Sequence, residues 1–267
     1  MSNLTFNCAL ITGGGGGLGK AIASYLLRKG KKVLIAGRTE HTLRQTAQEI
    51  GATDYFVLDT GAVSQIPAFI RTLTARYPEV DCLINNAGVQ RPLDVLGDAP
   101  ADFLAKADQE IDINIRGPMH LTLGLLEHFR AAHPHGRATI MNVSSILAFV
   151  PFSVINPVYN GTKAWLHFWS MTLRTQLEKG GYEGIRVVEV VPPSVGTDLH
   201  RDRSDPDDNK KHKNPKALTV EEFMEFFIRG LEGGQDVIAP GVSQEVVDQW
   251  YAQFGGMYDE LAGEHKK

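Results

Sequence analysis

Short runs of β-branched and apolar residues alternate, over most of the chain, with longer stretches in which apolar side chains recur every three or four positions. Phe6 to Thr12 is the first such run and reads as a buried strand. Gly17 to Lys29 follows as a helix, with Leu18, Ala21, Ile22, Tyr25 and Leu26 at helical spacing. The pairing repeats. Val33 to Ala36 predicts a strand and Thr39 to Ile50 a helix, with Thr39 as its N-cap. Tyr55 to Leu58 and Val63 to Tyr77 are the next strand and helix, and Cys82-Leu83-Ile84 is the core of a fourth strand. From about Ala101 to Ala131 the helical spacing continues, with a bend expected near Gly117-Pro118. Three further strands are predicted at Ala138 to Val143, Ile185 to Val191 and Asp236 to Ala239. Three further helices are predicted at Val158 to Lys179, Val220 to Leu231 and Ser243 to Leu261. Repeated β-α-β units imply right-handed crossovers and a parallel sheet covered on both faces. Seven strands fit one sheet without a second core.

Size and charge narrow this picture. The 267 residues, 43% of them hydrophobic, suit one large α/β domain spanning 1–267, although the length also permits two. A net charge of -4 with 22% charged residues gives no basic footprint, which argues against a nucleic-acid partner. No apolar run approaches the roughly 20 residues of a membrane span. Met1-Ser2-Asn3-Leu4-Thr5 lacks a basic region and a long apolar core, so no signal peptide is expected and the default location is the cytosol. Cys8 and Cys82 each lie in a strand-like run and read as buried free thiols. The nine histidines show no metal-ligand spacing; His133-Pro134-His135 reads as a surface turn, and no metal is expected. One segment departs in composition: 198–216 is rich in Asp, Arg, Lys, His and Pro. It reads as a solvated, mobile loop, or, because it follows the sixth strand, as a segment that closes over a substrate.

Two motifs carry chemistry. The run Gly13 to Gly17 sits between a strand and a helix, without linker composition around it. Glycines there let the backbone turn tightly and approach a pyrophosphate, while the helix presents free N–H groups and its positive dipole end. Tyr159 and Lys163 are one helical turn apart. A free phenol titrates near about 10. An ammonium group and a positive nicotinamide ring would favour its phenolate and make it an acid/base near neutrality.

With Thr12-Gly13-x-x-x-Gly17-Leu18-Gly19 and Tyr159-x-x-x-Lys163 in this order, the chain resembles the short-chain dehydrogenase/reductase superfamily over nearly its whole length. Asn85-Asn86-Ala87-Gly88, Asn114-Ile115-Arg116-Gly117 and Asn142-Val143-Ser144-Ser145 match further signatures. Pro192-Pro193-Ser194-Val195-Gly196-Thr197 looks like P-G-x-V-x-T, with Pro193, which has no N–H, replacing glycine. Asn86-Ala87-Gly88-Val89-Gln90-Arg91 and Leu147-Ala148-Phe149-Val150-Pro151 resemble a subgroup named after a member of the D-alanine–teichoic acid operon. The resemblance implies a single-domain Rossmann fold, a homodimer or homotetramer, and an oxidoreductase acting on a small carbonyl or alcohol.

It also implies roles. Tyr159 exchanges the proton, Lys163 also holds the nicotinamide ribose, and Asn114 holds a water that links Lys163 to solvent. Ser145 hydrogen-bonds the substrate oxygen. It precedes Tyr159 by fourteen positions where the family spacing is usually one shorter, so an insertion within Phe149 to Phe152 is expected and Ser144 stays an alternative. Gly13, Gly17, Leu18, Gly19, Asn86, Ala87, Gly88 and Pro192 surround the dinucleotide; Asp59 and Thr60 meet adenine; Val195 and Thr197 meet the carboxamide. At the second strand's end Gly37 stands where a carboxylate would bind an unphosphorylated ribose, and Arg38 follows. This favours NADP over NAD through a charge-assisted contact, with Glu40 close enough to keep NAD in view. Phe149, Pro151, Phe152 and Val154 are expected either to wall the substrate or to pack under the loop, and Trp165, Phe168 and Trp169 to lie in the core or an interface. Imine reduction, isomerisation or dehydration, and a non-catalytic NADP-binding module are the competing functions on this scaffold.

Overall fold

The computed structural model describes residues 4–132 and 137–264; the turn expected at His133-Pro134-His135 and the first three residues of the N-terminal segment lie outside them. Its strands are β1 (Cys8–Thr12), β2 (Lys32–Gly37), β3 (Asp54–Val57), β4 (Cys82–Asn85), β5 (Ala138–Val143), β6 (Ile185–Val190) and β7 (Val237–Ile238). They form one 7-stranded sheet in the order β3-β2-β1-β4-β5-β6-β7, and every neighbouring pair is parallel. The helices are α1 (Gly17–Arg28), α2 (Glu40–Ile50), α3 (Ile66–Arg76), α4 (Pro100–Ile111), α5 (Gly117–Ala132), α6 (Pro157–Lys179), α7 (Val220–Glu232) and α8 (Ser243–Glu264).

The strand runs lack polar alternation because both faces of the sheet are covered. Successive residues of β1 point to opposite sides. Ala9 and Ile11 join Ile22 and Leu26 of α1 and Phe223 and Phe227 of α7 in one apolar layer. Cys8 and Leu10 join Leu73 of α3, Leu125 and Phe129 of α5 and Leu173 of α6 in the other. Cys8 and Cys82 are buried and free; burial pushes the Cys8 thiol up to about 12 and raises that of Cys82 as well. Among the described residues no helix is long and apolar enough to cross a membrane.

The chain runs outward from β1 to β3 and then returns to place β4 on the other side of β1. Crossovers therefore leave in opposite directions at the carboxyl ends of β1 and β4, which opens a crevice there.

Two local expectations are corrected. Thr39 occupies the N-cap position of α2, but its side chain makes no capping hydrogen bond. The helix expected from about Ala101 to Ala131 is divided by a π turn, Asp112–Arg116, that ends just before Gly117-Pro118. Pro118 has no N–H to continue the i→i−4 ladder, and the widened turn absorbs the break. The irregularity thus falls on Asn114 instead of on the Gly-Pro pair.

Candidate active site

The crevice begins with the glycine turn. Gly13 has φ 66° and Gly17 φ 51°, a region costly for residues with a Cβ. A Cβ on Gly19 would lie 2.4 Å from the Gly13 carbonyl oxygen and 2.6 Å from Asn86 Nδ2. Asn86 Nδ2 donates to the carbonyls of Thr12 at 2.9 Å and Gly13 at 3.3 Å. Thr12 Oγ1 accepts the N–H groups of Asn86 and Ala87, each at 3.0 Å, and donates to Ile84 O. The ends of β1 and β4 are thereby stapled together, and the Asn86 side chain serves the turn. Gly16 is the N-cap of α1 without a side-chain capping bond, and the first turn has no acidic residue. A Cβ on Gly16 would meet nothing within 4 Å.

At the end of β5, Ser144 and Ser145 diverge. Ser144 is buried and donates to Glu189 Oε1 at 2.5 Å, while the other Glu189 oxygen pairs with His167 Nδ1 at 2.8 Å. Ser145 caps a 3-10 turn, accepting from Leu147 N at 3.2 Å, and it favours the Tyr159 phenolate. Tyr159 and Lys163 both lie buried on α6. Lys163 Nζ is 5.5 Å from the centroid of the Tyr159 ring and donates to Val143 O at 2.8 Å.

Electrostatics here differ from the expectation. Burial pushes the Tyr159 phenol above its ordinary range, and Glu110 adds to that; Ser145 and Arg203 oppose it. Burial also lowers Lys163 to about 8, against the pull of Glu110 and Glu189. Desolvation of the hydroxyl is the largest influence on the phenol, and Lys163 is not among the groups that shift it.

Asn114, on the π turn, is tied to the strand-4 loop. Its Oδ1 accepts Val89 N at 3.0 Å, and its Nδ2 donates to Val89 O at 2.9 Å and to Thr162 Oγ1 at 3.1 Å.

One cavity of about 560 Å³ joins these parts. Its lining includes Gly13, Gly17 and Leu18, the loop residues Asn86, Ala87 and Gly88, Ser145, Tyr159 and Lys163, and Pro192, Val195 and Thr197. Arg38 lines it as well, whereas the Glu40 carboxylate, outside that lining, holds Arg44 at 2.7 Å. Gly19 and Asn114 do not line the cavity but support residues that do. Asp59 and Thr60, expected at the adenine, do not line it either, and Asp59 Oδ1 accepts Gly61 N at 2.9 Å. Phe152 lines the cavity, but Phe149 packs elsewhere, 4.2 Å from the His167 ring and 5.8 Å from that of Trp250. Among the described residues no group of three or more His, Cys, Asp or Glu side chains is placed to hold a metal ion.

Sequence reasoning missed Gln90, Glu110 and Arg203. Arg203, from the 198–216 segment, donates to Gln90 Oε1 at 2.8 Å, Asn156 Oδ1 at 2.6 Å and Asp208 Oδ2 at 2.7 Å. It lines the cavity, and nothing in its local sequence signals that. Glu110 is fully buried. Its one signal was its place on the inward stripe of α4, three residues after buried Ala107 and four before Asn114.

Comparisons with known proteins agree with this architecture. Residues 7–208 match the family model for short chain dehydrogenase. The uncharacterized oxidoreductase DltE of Bacillus subtilis (strain 168) is 32% identical over 258 residues, 97% of this chain and 97% of the relative. The NADP-dependent 3-hydroxy acid dehydrogenase YdfG of Shigella flexneri is 32% identical over 223 residues, 81% of this chain and 85% of the relative. The short-chain dehydrogenase from Sphingobium yanoikuyae in complex with NADPH has a TM-score of 0.78 over 98% of this chain and 97% of its own; at 22% identity it speaks for the fold alone. The glycine turn, the seven-stranded parallel sheet, the family match over residues 7–208 and the sequence match over 97% of the chain have one common explanation: this chain belongs to the short-chain dehydrogenase family of oxidoreductases.

Proposed function

We propose that the chain is an NADP-dependent oxidoreductase that moves a hydride between NADPH and a ketone or aldehyde, or the corresponding alcohol, with Tyr159 as acid/base. The observation that carries this reading is one cavity lined both by the glycine turn and by Ser145, Tyr159 and Lys163. The dinucleotide fits the residues present. The uncapped N-terminus of α1 offers N–H groups for phosphate, and the open side of Gly16 leaves room for it. Arg38 favours a phosphorylated ribose, and the engagement of Glu40 with Arg44 weakens the case for NAD. The relative YdfG is named as NADP-dependent.

When bound, NADPH supplies the hydride. Tyr159 holds the proton that the carbonyl oxygen receives, and burial keeps the phenol protonated beforehand. Ser145, which favours the Tyr159 phenolate, donates to the charge developing on the substrate oxygen. Lys163 provides a cation beside the phenolate that remains. Segment 198–216 covers the substrate end, with Arg203 fastening it to Gln90 and Asn156.

The test is NADPH and NADH oxidation across aromatic, aliphatic and polycyclic ketones and aldehydes, with cyclic imines included. NADPH-driven turnover of a carbonyl supports the reading. Turnover of imines alone moves the activity to imine reduction, and tight NADPH binding without turnover leaves a cofactor-binding module. Arg38→Gln is expected to weaken NADPH binding by roughly tenfold to a hundredfold, the worth of one hydrogen bond to a charged group, while NADH binding stays unchanged. Calorimetric titration reads both, and equal losses for the two cofactors would remove Arg38 from this role.

The same reading includes a homodimer or homotetramer. Phe168 on α6 and Phe254, Met257 and Leu261 on α8 expose apolar surface suited to burial against another copy. Light scattering is expected to give a multiple of the 29.3 kDa chain mass, and a monomer at micromolar concentration would contradict it.

A further inference from the structure

Glu189 lies on β6 and His167 on α6, and both are fully buried. Alternation along the strand gives Glu189 the same face as Val187, which packs in the apolar layer with Leu173 of α6. A sheet covered on both faces calls for an apolar side chain there, and a carboxylate is costly unless it is paired. Glu189 is paired twice. Ser144 Oγ donates to its Oε1 at 2.5 Å, and His167 Nδ1 lies 2.8 Å from its Oε2. A carboxylate only accepts, so Nδ1 carries the hydrogen. His167 Nε2 is buried with no hydrogen-bond partner, so the polar hold on the ring comes from Glu189. The same ring packs 4.2 Å from that of Phe149 and 4.8 Å from that of Trp250, centroid to centroid.

Ser144 and Phe149 flank one short turn. Ser145 is the N-cap of the 3-10 turn Ile146–Ala148, and Phe149 is its C-cap. The turn is held just before Ser145 through the Glu189 carboxylate and at its far end by the Phe149 ring, and both holds lead to His167. His167 follows Lys163 by four positions and Tyr159 by eight on a single helix, so the three share one stripe of α6. We propose that Glu189 and His167 are positioning residues: they bracket the turn that begins at Ser145 and hold its hydroxyl in register with Tyr159 and Lys163. The inference rests on the reading of Ser145, Tyr159 and Lys163 as the reacting groups. Neither Glu189 nor His167 lines the cavity, so they act through Ser144, Phe149 and the turn.

The experiment separates positioning from stability. A buried ion pair is often replaced by apolar side chains without loss of stability. Glu189→Met combined with His167→Phe makes that replacement and keeps an aromatic ring for Phe149. We expect this double variant to unfold in urea at or above the parent midpoint and to bind NADPH as the parent does. Its kcat should fall by about tenfold to a hundredfold, the cost of a misplaced reacting group. Hydrogen exchange at the Leu147 amide, which donates to Ser145 Oγ at 3.2 Å, should quicken by about tenfold, the worth of one hydrogen bond. Glu189→Gln keeps an acceptor for His167 and a polar partner for Ser144, and should keep most of kcat. Parent kcat or parent exchange at Leu147 in the folded double variant overturns the proposal, as does an equal loss in Glu189→Gln. If the double variant does not fold, Ser144→Ala carries the test, with the same two expected changes and the same overturning results. Leu147 exchange reads the bracket whether or not any carbonyl is reduced, whereas the acid/base reading fails by absence of turnover in the parent.

Discussion

Tyr159→Phe is expected to lower kcat for carbonyl reduction by about 10²–10⁴, the usual contribution of a positioned general acid, while NADPH binding is retained. The phenyl ring keeps the volume packed against Ile146 and Leu147, so the fold survives and the loss is chemical. What disappears is the Tyr159 O–H, which burial keeps protonated. Ser145 alone then faces the negative charge developing on the substrate oxygen, and no side chain holds the proton to neutralise it. Single-turnover rates at saturating NADPH are the measurement, because they exclude product release. A rate within tenfold of the parent would mean that the proton comes from another group, and the assignment of Tyr159 would be abandoned.

Gly19→Ala is expected to damage both stability and dinucleotide binding. The added methyl would sit 2.4 Å from the Gly13 carbonyl oxygen and 2.6 Å from Asn86 Nδ2. The nearer obstacle is backbone, so no rotamer change relieves it. Either α1 shifts away from β1 or the Asn86 staple opens, and each outcome deforms the turn that would meet the phosphates. Overpacking of this kind costs about 1–3 kcal/mol, occasionally more, and NADPH affinity should fall with it. Urea unfolding and calorimetric titration read the two effects. Gly161→Ala is the internal control, since a Cβ there meets nothing within 4 Å and the change in a helix interior should stabilise by about 0.5–1 kcal/mol. Similar results for the two substitutions would show that close packing at Gly19 does not govern the turn.

The elements most legible in the sequence were those with a strong local period. Continuous apolar runs such as Cys8–Thr12 and Ala138–Val143 marked strands covered on both faces, and their observed limits lie close to the expected ones. The stripe of Leu18, Ala21, Ile22, Tyr25 and Leu26 marked α1 in the same way. The π turn at Asp112–Arg116 was not legible, because the side-chain period of α4 continues into α5 and only the backbone ladder is broken. The divergence of Ser144 and Ser145 was not legible either. Spacing left both open, and their partners, Glu189 on β6 and Tyr159 on α6, come from distant parts of the chain.

The division follows the range of the forces involved. Sequence alone specified the alternation of strands and helices, the glycine turn and the one-turn separation of Tyr159 from Lys163, because each depends on covalent neighbours and backbone sterics. Only the tertiary structure decided the charge states and the shape of the cavity. Arg203 reaches Gln90 across 113 positions of sequence. The opposed shifts of Tyr159 and Lys163 have the same origin: desolvation depends on every atom that displaces water around a group, and those atoms are brought together by the fold, not by the order of residues.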